Sequence, residues 1–299
     1  MQRRLFLKTS SIALAGAGGI QHTHTQCKKG LGKDRGNITL ALNAYSFNKP
    51  LLDGRMSLEE LFRLARKTGF AGVDLTAYYI QGYPEVPEDK VLFKIKKMAF
   101  RLGLAISGTG VRNNFALSNP IEHADNIDLV KQWIVAASKL GAPHVRVFAG
   151  RGSDADNSRK TVKAQVIEAF QECADFGSHH GVMVVFQNHF DYIKSTQEVV
   201  EILDAVQSEW FGLMLDIGSI PGPDPYPDIE KLIPYAASWQ VKEQMKSGNG
   251  TVPTDFGRLM KIVHDQQYHG YFPLETLGEG DPEKKVEALY QEVIQTFQQ

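Results

Sequence analysis

Two cysteines in 299 residues, Cys27 and Cys173, exclude a disulfide framework. Cys173 falls on an amphipathic stretch with Val162, Val166, Ala169 and Phe170 and reads as a small buried hydrophobe. Charge of either sign is not in excess: 33 basic against 34 acidic residues leave a net −1, which gives no general field for nucleic acid or an anionic membrane. The local basic run Lys94–Lys97 fits the solvated face of a helix. Long apolar runs are missing too. Ile12 to Ile20 falls short of the ~20 residues a membrane helix needs, and nothing beyond residue 30 resembles a span. No Gly-x-Gly-x-x-Gly or Walker-type loop appears, which argues against an open nucleotide-binding sheet and against a nucleotide cofactor. Linkers and low-complexity segments are absent from 38–299, so one domain is expected there.

What is present begins at the N-terminus. Arg3-Arg4-Leu5-Phe6-Leu7-Lys8, followed by an Ala/Gly-rich run, resembles a twin-arginine export signal. Ala15-Gly16-Ala17 offers a small-residue cleavage site. Residues 1–30 therefore read as an export signal and flexible leader, with a periplasmic address. His24-Thr25-Gln26 ahead of Cys27 lacks the small apolar residues of a lipid-attachment site.

After the leader, short apolar runs alternate with amphipathic stretches. The predicted strands are Ile38–Ser46, Gly72–Thr76, Leu104–Gly108, His144–Phe148, Val182–Phe186, Gly212–Asp216, Ser238–Lys242 and Gly270–Glu275. Helices are expected near 58–68, 90–102, 124–140, 161–176, 196–206, 229–235, 256–266 and from Pro282 onward. Ser57 with Glu60, and Ser195 with Glu198, have capping-box spacing, and Met56 and Leu61 are placed as a hydrophobic staple. Gly69 stands where a C-terminal glycine should. Strands alternating with helices imply parallel β-α-β units. Eight of them select an α/β fold of one class, a single (β/α)8 TIM barrel over residues 38–299.

Chemistry on such a barrel sits where strands end. Polar residues gather there: Asn43 and Tyr45; Thr76, Tyr78 and Tyr79; Ser107, Thr109, Arg112 and Asn113; Arg146; Gln187, Asn188 and His189; Asp216; Gln240, Lys242 and Glu243; Glu275. Gln240 and Lys242, two apart, share a face, and a lysine inside the barrel needs a partner such as Asp216, Glu243 or Glu275. Tyr45, Tyr78, Arg112, Asn113, Arg146 and Asn188 are the candidate substrate-binding residues. Asp216 or Glu275 alone could simply cap the next helix; together they point to function.

At these strand ends the chain resembles the xylose isomerase-like superfamily, which includes ketose 3-epimerases, hydroxypyruvate isomerase, inosose dehydratase and endonuclease IV. The resemblance lies in Phe186-Gln187-Asn188-His189, Leu213-Met214-Leu215-Asp216-Ile217-Gly218, Trp239-Gln240-Val241-Lys242-Glu243 and Tyr271-Phe272-Pro273-Leu274-Glu275. The family shows Glu-Asn-His, Leu-Asp-x-Gly, a His before x-Lys-Asp, and a terminal Glu in those places. It implies a divalent cation, manganese or magnesium, held here by Gln187, Asp216, Gln240 and Glu275. Two of those four depart from the pattern, which lowers the ligand charge and removes an imidazole; amide oxygens still suit hard cations. The paired-glutamate acid/base mechanism loses one member at Gln187, leaving Glu275 as base with His189, Lys242 or Glu243 as partner. The three-zinc ligand set of the endonuclease branch is not visible, and the neutral charge agrees.

The implied activity is isomerase or epimerase chemistry on a carbohydrate, by proton abstraction next to a carbonyl. Export favours a free sugar or keto-sugar over a phosphorylated one. Two alternatives stay open: a 3-keto-glycoside lyase or dehydratase, which tolerates the loss of one glutamate, and a catalytically silent carbohydrate-binding protein. The expected partner is a small carbohydrate, without nucleic acid and without a membrane beyond export.

Overall fold

The computed structural model describes residues 38–152, 159–189 and 192–298. Cys27 and the residues read as a twin-arginine leader lie outside them. Ten strands occur among the described residues: β1 (Ile38–Asn43), β2 (Gly72–Thr76), β3 (Ala105–Gly110), β4 (His144–Val147), β5 (Met183–Gln187), β6 (Phe211–Asp216), β7 (Ala236–Lys242), β8 (Gln244–Ser247), β9 (Gly250–Pro253) and β10 (Gly270–Glu275). The helices are α1 (Asn48–Leu52), α2 (Leu58–Thr68), α3 (Asp89–Arg101), α4 (Pro120–Leu140), α5 (Arg159–His180), α6 (Thr196–Ala205), α7 (Tyr226–Leu232), α8 (Phe256–Asp265) and α9 (Pro282–Gln298). Eight strands close in the order β1-β10-β7-β6-β5-β4-β3-β2. Every neighbouring pair in the ring is parallel. The single (β/α)8 barrel is therefore present. No described helix is long and apolar enough to cross a membrane.

The strand period divides the chemistry. Val73, Leu75, Val145, Val147, Leu213, Leu215, Trp239, Val241, Phe272 and Leu274 are fully buried, and residues two apart on each strand share a side. They form the layer between barrel and helices, each large side chain stabilising it by roughly 1.5–3 kcal/mol. The alternate positions include Asp74, Thr76, His144, Arg146, Gln187, Asp216, Ser238, Gln240 and Glu275, all buried. The barrel's own interior is thus unusually polar for a close-packed core.

Local signals fix the helix ends. Ser57 Oγ accepts from the Glu60 amide at 3.2 Å and Glu60 accepts from the Ser57 amide at 2.7 Å, a complete capping box. Gly69 closes the helix at φ 111°, a left-handed conformation that disfavours a side chain. Leu61 is fully buried and Met56 packs partly buried on the core. The second expected capping box forms only in half. Ser195 accepts from the Glu198 amide, but the Glu198 carboxylate turns to the Lys194 amide at 2.7 Å and to Arg159 at 2.6 Å. A guanidinium is a stronger partner than a backbone amide. Cys173 is fully buried, which pushes its thiol up to about 12. Lys94, Lys96 and Lys97 are exposed on α3, whereas Ile95 is buried.

One element departs from the plain barrel. Between β7 and α8 the antiparallel hairpin β8–β9 is inserted. It stands on the site face: Thr254 Oγ1 donates to the Lys242 carbonyl at 2.6 Å, and the Thr254 amide to the Glu243 carbonyl at 3.0 Å.

Candidate active site

A cavity of about 530 Å³ opens at the C-terminal ends of the strands. Gln187, Gln240, Lys242 and Glu275 line one side of it, Tyr78, Arg112 and Arg146 the other, with Tyr45, Phe148 and His189 also in the wall. Register explains the grouping. Glu275 pairs with Lys242 across β10 and β7, and Asp216 with Gln240 across β6 and β7.

Lys242 is the centre of the acidic side. Its Nζ lies 2.8 Å from Asp216 and 3.3 Å from Glu275. Burial pushes this lysine down, but the two carboxylates more than offset it, and the ammonium is held well above its usual range. Glu275, only 3% exposed, moves upward: burial dominates, and the attraction of Lys242 restrains the rise. Asp216 is wholly buried beneath the floor. It accepts from the Gly218 amide at 2.9 Å, Ser219 Oγ at 2.9 Å, Gln187 Nε2 at 2.8 Å and Lys242 Nζ at 2.8 Å.

This arrangement does not fit a divalent cation. Gln187 turns its NH2, not its carbonyl, into the cluster, donating to Asp216 and to Gln240 Oε1. An amide nitrogen is no ligand for a hard cation. Both Asp216 oxygens are already engaged, and an ammonium sits between the two carboxylates. Among the described residues no group of three or more His, Cys, Asp or Glu is placed to hold a metal. The donor set Gln187, Asp216, Gln240 and Glu275 expected from the sequence is therefore closed by its own hydrogen bonds.

Three other expected residues are placed differently by the fold. Glu243 follows Lys242 directly, so it faces the opposite way. It pairs with Lys285 of α9 at 2.8 Å and does not line the cavity. Asn188 braces the neighbouring strand: its Nδ2 donates to the Asp216 carbonyl at 2.9 Å and its Oδ1 accepts from the Asp216 amide at 2.8 Å. Asn113 makes the same reciprocal pair with the backbone of Phe148, both at 2.8 Å, although it touches the cavity. Each amide thus braces the neighbouring strand with one of its two N–H groups, and Asn113 also borders the cavity. His189 does reach the cavity, edge-on to the Phe148 ring at 5.3 Å.

The opposite wall is built on Tyr78. Its hydroxyl accepts from Arg146 Nη2 at 2.5 Å, and Arg146 Nη1 donates to the Val111 carbonyl at 2.6 Å. The Arg112 guanidinium carbon lies 4.2 Å from the centre of the Tyr78 ring. Arg146 stacks in turn 4.1 Å over Phe148.

Two buried groups escaped the sequence reading. Asp74 shares the inward side of β2 with Thr76; burial raises it to about 7 against the opposing pull of Arg146. His144, two residues before Arg146, is pushed down to about 4 by burial and then by the Arg146 charge. A charged residue inside an apolar strand, on the same side as a strand-end threonine, was the available signal for Asp74.

The sequence matches the family model described as xylose isomerase-like TIM barrel over residues 62–298. The chain belongs to that family. No curated protein matches the sequence. Solved structures similar to this xylose isomerase-like barrel include three enzymes. D-Psicose 3-epimerase from Clostridium cellulolyticum is 13% identical, with a TM-score of 0.71 over 87% of this chain and 99% of the other. 3-Keto-D-glucoside 4-epimerase from E. coli is 12% identical, with a TM-score of 0.70 over 87% and 100%. A probable 3-DHS dehydratase of petrobactin synthesis from Bacillus anthracis is 17% identical, with a TM-score of 0.69 over 86% and 99%. At these identities the likeness is one of fold. In this xylose isomerase-like barrel the carboxylate pair is closed by Lys242.

Proposed function

We propose that the protein is a carbohydrate-transforming enzyme that removes a proton from carbon next to a carbonyl, with Glu275 as base. One observation carries this: a buried carboxylate on the cavity floor, 3.3 Å from an ammonium. The names of the similar structures, two epimerases and a dehydratase, support this range of chemistry.

The Glu275 carboxylate takes the proton as the C–H bond breaks. The electron pair forms a carbon–carbon double bond, and charge moves to the former carbonyl oxygen. Lys242 donates to that oxygen, the electrostatic task a cation performs elsewhere. Gln240, whose Oε1 accepts from Gln187, retains its NH2 for substrate. Gln187 cannot exchange a proton, so it cannot pair with Glu275 as a second carboxylate base. Single-base outcomes are therefore favoured: return of the proton to the former carbonyl carbon while the hydroxyl proton on the first carbon passes to the former carbonyl oxygen, an isomerisation, or expulsion of a neighbouring oxygen that takes a proton from His189, an elimination. The substrate class is a keto-sugar, met outside the cytoplasm if the twin-arginine leader acts as its residues read.

The test is proton exchange into a 3-keto-hexose in deuterium oxide, followed by NMR. Wild type should wash deuterium into the carbon beside the ketone, and Glu275→Gln should lose at least ~100-fold of that rate. Equal exchange by both proteins would exclude Glu275 as base; sugar binding without any exchange would mark a silent binding protein.

A further inference from the structure

The two walls of the cavity are electrically unlike. On the floor, the Lys242 charge is answered twice, by Asp216 and by Glu275. Across from it, Arg112 and Arg146 share Tyr78, one on the ring face and one on the hydroxyl. Neither guanidinium forms an ion pair with any described carboxylate. Two buried acids lie within electrostatic reach of Arg146: Asp74, deeper in the barrel, which burial raises to about 7, and Glu275, which already faces Lys242. Arg146 is 5% exposed, and its fork is fixed by a carbonyl and a phenol, both neutral. Two cations side by side, one of them buried, with no ion-pair partner of their own carry a desolvation and repulsion cost. Guanidiniums fixed by packing are also pre-organised to bind the planar oxygen pair of an anion.

We propose that the Arg112–Arg146–Tyr78 wall is an oxyanion subsite, so that the substrate is an acidic keto-sugar whose carboxylate or phosphate docks there while its carbonyl faces Lys242 and Glu275. This rests on the proton-abstraction reading and adds the substrate class to it. A neutral sugar would leave the cationic wall unanswered. An acidic one is oriented by two opposite handles, with the anion at β3 and β4 and the reacting carbon at β7 and β10.

The experiment is calorimetric titration of the full chain at low ionic strength with sodium glucuronate, glucose 6-phosphate, inorganic phosphate and glucose. Glucuronate or glucose 6-phosphate should bind at least about tenfold tighter than glucose, the scale of one charged hydrogen bond. Whichever of the two binds tighter identifies carboxylate or phosphate as the natural group. Arg112→Gln should reduce that preference at least about tenfold, and Tyr78→Phe should weaken it further through Arg146. Arg63→Gln, on the outer face of α2 in an exposed pair with Glu59, should leave it unchanged. Equal affinity for glucose and glucuronate, no anion binding at millimolar concentration, or an unaltered preference in Arg112→Gln would each overturn the proposal. The underlying reaction fails separately. Glu275-dependent exchange on a neutral keto-sugar without anion preference sinks the subsite alone. Arg112-dependent anion binding without exchange sinks the reaction alone.

Discussion

Gln187 donates its side-chain amide to Asp216 at 2.8 Å, so the end of β5 presents a hydrogen-bond donor to the buried carboxylate. The orientation follows from Lys242. Once an ammonium bridges Asp216 and Glu275, the remaining Asp216 oxygen capacity is best met by N–H and O–H groups.

Replacing that ammonium should therefore change the ion chemistry of the site. Lys242→Met leaves Asp216 and Glu275 facing each other without a counter-charge. The variant should gain manganese binding visible by electron paramagnetic resonance, where wild type shows little, and should lose about 10²–10³ in exchange rate. Wild-type exchange should be unaffected by a chelator. Chelator-sensitive exchange would contradict the assignment of the cationic role to Lys242.

The pH dependence of activity should carry the mark of Glu275. Burial raises this carboxyl above its ordinary 4.5, and a base works only when ionised. Activity should climb with pH along an acid limb whose midpoint lies above 4.5, and Lys242→Met should move that midpoint further up, because the restraining ammonium is gone. A limb midpoint at or below the ordinary value would exclude a buried base.

Stability against pH should depend on two buried groups with opposite slopes. Asp74 rises from 3.8 to about 7 on folding, so its neutral form is favoured in the barrel and stability falls as pH rises through that window. His144 drops from 6.5 to about 4, so stability falls as pH is lowered from 6.5 towards 4. Each contributes roughly 1.4 kcal/mol per pH unit, and the two oppose each other where the windows overlap. Asp74→Asn removes one arm. Urea titrations should then show a steep loss of stability below pH 6.5 that the wild type lacks; parallel curves for the two proteins would refute the pairing.

Asn188→Ala should destabilise the chain by about 2–4 kcal/mol, since it strands the buried amide and carbonyl of Asp216. The measurement is the thermal midpoint. Asn188→Asp keeps the acceptor for the Asp216 amide and should recover part of the loss. A variant with unchanged stability but weaker sugar binding would instead make Asn188 a substrate contact.

Much of this was legible along the chain. The strands at Gly72–Thr76 and Gly270–Glu275 fall where apolar runs begin and end, and the Ser57–Glu60 cap and Gly69 are local events complete within a dozen residues. Strand-end positions were legible because side-chain parity needs only counting. What a polar group does there was not. Asn113 and Asn188 read as substrate contacts, and the bracing of their amides on the backbone of the next strand shows only in three dimensions. Glu243 read as a catalytic partner because Lys285, which holds it, is 42 residues away in sequence on another element. The β8–β9 hairpin carried a signal that went unread: its two-residue loop, Gly248-Asn249, with Gly248 at φ 57°, is a hairpin turn. Only Met245 among its residues is buried, so hydrophobic alternation did not announce it.

Gly218 closes the account of Lys242. A Cβ added there would lie 2.5 Å from Lys242 Cδ, closer than packed atoms come. The glycine in Leu-Asp-Ile-Gly is thus the space through which the lysine stem reaches the two carboxylates. Positions 218 and 242 are coupled by volume, not by charge. Any side chain at 218 would therefore push the ammonium off Asp216 and Glu275, so the placement of the site's own cation depends on a residue that carries no functional group at all.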